Sequence, residues 1–232
     1  MGEDSLFILP LFNLGPVQLT STVITTWVMM AIIGGFAWLA TRRLQMKPDR
    51  LQTLLEAMVS LIEESIRGIA PQHVQQIMPF IGTLWVFIVI ANLTGLIPGM
   101  HSPTRDLSTT AALACLVFLS VHWFGIRIQG LKNYLQHYLQ PSPILLPFHI
   151  ISEMTRTIAL AVRLFGNMMS LEMVALLILL VAGFLVPVPI LMLHIVEALV
   201  QAYIFGMLAL IYVAGGLQSQ QRRQQKQGVS DA

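Results

Sequence analysis

The chain has 232 residues, of which 56% are hydrophobic and only 10% charged, with a net charge of +2. A water-soluble domain carries about 25% charged residues, so this chain lacks the polar side chains to cover a water-facing surface, and a soluble enzyme or nucleic-acid-binding module is excluded. The expected fold class is an all-α integral membrane protein with about five transmembrane helices and one interfacial amphipathic helix.

A helical span needs about 20 apolar residues. The sequence is expected to form one membrane domain over 1–217 and a polar, disordered tail over 218–232. The N-terminus carries Glu3 and Asp4 and no Lys or Arg, which argues against the basic n-region of a signal peptide. A first span is predicted over roughly 18–40, ending at Arg42 and Arg43. An amphipathic helix follows over 50–70. Leu51, Leu54, Leu55, Met58, Leu61, Ile62, Ile66 and Ile69 recur there at helical spacing, while Glu56, Glu63, Glu64 and Arg67 lie off that stripe. Such a helix lies at the interface and does not cross.

The second span is predicted over roughly 79–98. After a Pro/Gly-rich loop the third runs over 108–128, with Ser108 as its cap and Asp106 in the loop. Residues 129–149 read as a connector with room for a short surface helix. Two long helices follow, over 150–184 and 190–218, and Pro187 and Pro189 mark the turn between them. Cys115 is the single cysteine and reads as a small core side chain. No Cys or His pair has metal-ligand spacing, and neither metal nor cofactor is expected. His101, His122, His137 and His149 read as loop or interface residues without a role.

Of the 13 Lys and Arg, ten fall in segments on one side: Arg42, Arg43, Lys47, Arg50, Arg67, Arg127, Lys132, Arg222, Arg223 and Lys226. Arg105 alone lies in a loop on the other side. By the positive-inside rule the tail and the amphipathic helix face the cytoplasm and the N-terminus faces outward.

The remaining two arginines, Arg156 and Arg163, belong to the fourth span. Arg156 and Glu153 lie near its inner end and can snorkel. Arg163 is deeper, and Glu172 is about 13 Å further along the axis at the helical rise, on the opposite side of the helix. The two therefore form no simple ion pair. Thr155, Ala159, Gly166 and Ser170 make a small-residue stripe around Arg163 that lets another helix approach. Asn167 follows one turn on. In the fifth span His194, Glu197 and Gln201 share one face by their spacing of three and four. In an antiparallel hairpin Glu172, His194 and Glu197 are expected to meet at similar depth and form an ionisable pocket open to the outside. A charge at mid-bilayer costs about 2.5–3.5 kcal/mol and usually marks an ion pathway. A structural salt bridge in the bundle is the competing reading for Arg163, an interfacial carboxylate for Glu172, and a helix-packing imidazole for His194.

At "LAVRLFGNM" followed by Glu172, and at "HIVEALVQAYIFGMLALIYV", the chain resembles subunit a of the rotary F-type ATP synthases. The likeness runs from the first span to residue 217. It includes "QTLLEAMVSLIEESI", "PFIGTLWVFIVIANLTGLIPG" and "PTRDLSTTAAL". The resemblance implies that Arg163 is the stator arginine facing the rotating ring of c subunits. It implies that Glu172, His194 and Gln201 line the ion path, and that Asn167 is a polar residue near the arginine that serves it. Asp106 matches an acid at the outer entrance, and Arg156 a basic position on the inner side. Glu197 is an addition beside this set. Two half-channels would couple H⁺ or Na⁺ flow to ATP synthesis or hydrolysis, in a bacterial inner membrane. A positive charge favours the ionised form of a nearby carboxylate, so Arg163 would promote release from the ring and bar a loaded site from passing. The implied partners are the c-ring, the b subunits of the peripheral stalk and the rest of the ATPase. No catalytic site of its own is expected, since the chain lacks a Gly-rich phosphate loop. "SEMTRTIALAVRLFGNMMS" and Glu197 resemble a divergent branch for which sodium transport is proposed. A secondary ion-coupled transporter is the alternative, but it usually carries internal repeats, and none is visible. An intramembrane hydrolase needs a nucleophile beside His194, and the helix offers none.

Overall fold

The computed structural model describes residues 10–14, 17–42, 49–97, 102–130, 146–182 and 187–230. Strands β1 (Pro10–Leu14) and β2 (Val17–Thr20) form a short antiparallel hairpin, with Phe12 opposite Leu19 and Leu14 opposite Val17. Residues 18–20, expected inside the first span, belong to β2, and α1 occupies Ser21–Arg42. In sequence, Gly-Pro dipeptides are strong helix breakers, and Gly15-Pro16 precedes β2.

Helix α2 covers Arg50–Ile69, capped by the Asp49 carboxylate, which accepts from the Arg50 N–H at 2.8 Å. Its apolar stripe divides in two. Ile66 is fully buried and Ile62 and Ile69 pack beside it, whereas Leu51, Leu54 and Leu61 stay exposed. Glu63 and Arg67 pair on the polar face. This matches a helix lying along an interface, with one end gripped by the bundle.

Helix α3 spans Val74–Thr94, starting a turn earlier than predicted and running through Pro79. A proline this near the start removes one backbone bond and still permits the helix. A 3-10 turn at Pro103–Arg105 leads into α4, Leu107–Gln129. The cap of α4 is Asp106, not Ser108: the Asp106 carboxylate accepts from the Ser108 N–H at 2.9 Å. Gly130 closes the helix at φ 81°, where its N–H bonds the Ile126 carbonyl at 2.9 Å.

Most of the predicted connector lies outside the described residues. Helix α5 already begins at Leu146 and ends at Ala182, and α6 runs Pro187–Ser230. Pro187 is the first residue of α6 and no part of an irregular turn, because its fixed φ suits the first helical position. The predicted disordered tail is helical through Ser230. Nothing in "QSQQRRQQKQ" breaks a helix, and Gln and Arg are good helix formers.

Among the described residues five helices are long and apolar enough to cross a membrane. Helix α6 packs against α3, α4 and α5, and α4 packs against α5. The core is made of residues such as Ile77, Ile81, Ile88, Val117, Leu164, Met168, Phe205, Leu210 and Val213. Helix α1 stands at the margin, with Trp27, Ile32, Trp38 and Leu39 exposed. Cys115 also faces outward from α4, contrary to its expected place in the core. A lipid-facing surface tolerates it, since outward and inward positions are both apolar here.

The bundle has two ends. One carries the 3-10 turn, the C-terminus of α3 and the N-terminus of α6. The other carries α2 and the N-terminus of α5.

Candidate functional site

Helix α5 packs with Leu160, Ala161, Leu164 and Met168, which are all buried. Arg163 projects from the opposite face. Thr155, Ala159 and Ser170 are exposed beside it, and a Cβ added at Gly166 would meet open space. The small-residue stripe thus points away from the bundle. Among the described residues Arg163 has neither a hydrogen bond nor an ion pair within the chain.

One turn on, Asn167 points back to α6 and donates its Nδ2 to Gln201 Oε1 at 2.6 Å. Gln201 is 1% exposed and His194 4%. The Nε2 atoms of both are buried and have no partner among the described residues. An unsatisfied buried polar group costs about 1–3 kcal/mol, so a pair of them on one helix face is not a packing accident.

The Glu172 carboxylate also meets a basic residue from the turn before α4. Glu172 accepts from Arg105 Nη1 at 2.6 Å, and the two side chains are only 16% and 15% exposed. His194 turns toward α3, its Cε1 within 3.7 Å of where a Cβ on Gly95 would sit. Glu197 is half-buried. The Asp106 carboxylate is engaged in capping α4. Asp106→Ala is expected to cost about 1 kcal/mol of stability. Asp106→Asn should keep the cap, and thermal unfolding of the two variants checks the pair.

Sequence reasoning passed over a buried polar chain at the same end. Asn92, 0% exposed, donates Nδ2 to the Ala198 carbonyl at 3.2 Å and accepts from Thr104 Oγ1 at 2.8 Å. Ser102 Oγ lies 2.6 Å from Thr104 Oγ1 and donates to the Ala91 carbonyl at 2.8 Å. This chain ties α3, the 3-10 turn and α6 together. A lone amide within "VFIVIANLTG" was the available signal.

At the opposite end a cavity of about 190 Å³ lies between α4, α5 and α6, with Glu153, Arg156, His149, Thr157 and Tyr212 in its wall. The Arg156 guanidinium sits 4.7 Å from the Tyr212 ring centre, a cation–π contact. His122 Nε2 lies 3.8 Å from Glu153 Oε2. His122 and His149, read as interface residues without a role, thus belong to a polar cluster. Their segments come together only through the packing of α4 on α5.

The family model of the ATP synthase A chain matches residues 23–214. The ATP synthase subunit a 2 of Pelobacter propionicus is 62% identical over 213 residues, covering 92% of this chain and 93% of that protein. The ATP synthase subunit a 1 of Hahella chejuensis is 63% identical over 206 residues, 89% and 88% of the two chains. The ATP synthase subunit a of Legionella pneumophila is 53% identical over 226 residues, 97% and 98%. A multi-pass helical membrane chain with these matches over nearly its whole length belongs to the ATP synthase subunit a family.

Proposed function

We propose that this chain is the ion-translocating stator of its ATP synthase, with Arg163 facing the ring of c subunits and two half-channels reaching that ring from opposite sides. The observation that carries this reading is Arg163 itself. It is exposed at mid-span, flanked by small residues, and has no partner within the chain among the described residues. A guanidinium stays charged at any relevant pH. At the bilayer centre it needs an anionic partner, and here that partner has to come from another chain. A ring carboxylate fits the charge and the shallow surface.

The end with the 3-10 turn is read as the outer half-channel, and the positive-inside rule supports that orientation. An ion enters past Glu172 and Glu197 and passes the buried Nε2 atoms of His194 and Gln201, which a moving ion or its water would satisfy. The Asn167–Gln201 bond links this path to the Arg163 turn. The cavity by Glu153 and Arg156 is read as the inner exit. Arg163 keeps the two paths apart, so H⁺ or Na⁺ crosses only as the ring turns. The chain contributes no bond chemistry, and the b subunits and the rest of the ATPase supply the stalk and the catalytic sites.

Cysteine cross-linking tests the ring-facing surface. In a Cys115→Ala background, Ser170→Cys should form a disulfide with a cysteine placed beside the ring carboxylate. Leu164→Cys, buried in the bundle, should not. A disulfide from Leu164→Cys with none from Ser170→Cys would put the ring on another face.

A further inference from the structure

The Arg105–Glu172 pair is not explained by the stator role of Arg163. Among the described residues Arg105 is the one Lys or Arg at its end of the bundle, against Asp106, Glu172 and Glu197. Its position is firmly set. The Arg105 N–H bonds the Ser102 carbonyl at 3.1 Å, and Ser102 and Thr104 are locked by the Asn92 chain to α3 and, through Ala198, to α6. From this anchored turn the guanidinium reaches across to α5 and holds Glu172 in a sheltered site.

We propose that Arg105 is a tethered competitor for the Glu172 carboxylate, which sets how strongly the outer mouth of the passage holds an entering cation. The inference rests on the half-channel reading above and goes beyond it. A sheltered carboxylate with no counter-charge would bind a cation tightly. Conduction requires binding strong enough to admit the ion and weak enough to release it. A guanidinium fixed on a turn weakens the site without filling the path, because it swings aside and returns. Arg105 is thus a positioning residue acting through Glu172. Asp106 is occupied by its cap, and His194 and Glu197, on α6, are the other imidazole and carboxylate among the described residues of this half of the bundle.

The test uses the whole reconstituted complex, oriented with the outer face of the membrane sector toward the vesicle lumen. ATP synthesis is driven by an imposed potential, with lumenal Na⁺ titrated at fixed pH, then lumenal pH titrated without Na⁺. Arg105→Gln should lower the half-saturating lumenal cation concentration about three- to tenfold, as expected for loss of a charge-assisted contact. The maximal rate should fall as release slows, while half-saturation for ATP-driven pumping from the other face stays put. Arg105→Lys should restore most of the wild-type value. Glu172→Asp, which keeps the charge and draws it back by one methylene, should shift half-saturation in the same direction by less, and stands in where Arg105→Gln fails to assemble. An unchanged half-saturation with a reduced rate makes the pair a structural bridge and overturns the proposal. If Glu172→Gln in the same vesicles changes neither quantity, the outer passage lies elsewhere and the half-channel reading fails first.

Discussion

Arg163→Ala abolishes coupled ion transport while the complex still assembles. ATP-driven pumping by reconstituted enzyme, with and without Na⁺, is the measurement, and a fall of at least about a hundredfold is expected. That loss corresponds to about 2.7 kcal/mol of coupling, close to the cost of one charge at mid-bilayer. Assembly should survive because the Arg163 side chain has no intrachain bond among the described residues and its Cα lies on the outward face of α5. Arg163→Lys is expected to recover little, since a compact ammonium lacks the planar, multi-donor guanidinium that suits a carboxylate. Normal pumping by Arg163→Ala would mean that the charge has no part in coupling. The sodium dependence of the wild type names the ion in the same experiment.

Gly206→Ala breaks the packing of α3 on α6. A Cβ at position 206 would lie 2.5 Å from Trp85 Nε1 and 2.7 Å from two further atoms of the indole. That indole is mostly buried and stacks on Tyr203 at 5.7 Å between ring centres, so it has no free space to yield. Overpacking of this kind costs about 1–3 kcal/mol, occasionally more. The strain falls within two turns of Gln201 on α6 and of Asn92 on α3, so both stability and flux should drop. Thermal aggregation of the detergent-solubilised complex and the subunit level in membranes read the first effect. Trp85→Leu combined with Gly206→Ala should recover a large part of the loss. A Gly206→Ala protein as stable as wild type would show that the helices do not approach this closely.

Several features were legible in the residues alone because membrane burial leaves a coarse, redundant signal. Composition sufficed for the class, and helical periodicity separated α2 from the spans. The spacing of Thr155, Ala159, Gly166 and Ser170 anticipated an outward small-residue face around Arg163, and the structure has it. The spacing of His194, Glu197 and Gln201 put all three on one face, and the structure buries His194 and Gln201 there and leaves Glu197 half-buried. Helix ends were less legible. Asp106 and Ser108 are both good caps, and only the backbone turn at Pro103–Arg105 selects Asp106.

Contacts between distant segments were decided by tertiary structure. Glu172 was expected to face His194 and Glu197 because the hairpin of α5 and α6 is the nearest neighbour in sequence. The turn before α4 brings a further partner, Arg105, across 67 residues to the carboxylate, which periodicity did not announce. Asn92, Ser102 and Thr104 acquire meaning only when α3, the 3-10 turn and α6 close on one another, and His122 meets Glu153 only because α4 packs on α5. The physical reason is the same in each case. Hydropathy and periodicity report whether a residue faces lipid or protein, a property of its own helix. Which polar groups then pair depends on helix rotation and depth, and these follow from side-chain fit at places such as Gly206 against Trp85, which no single segment encodes.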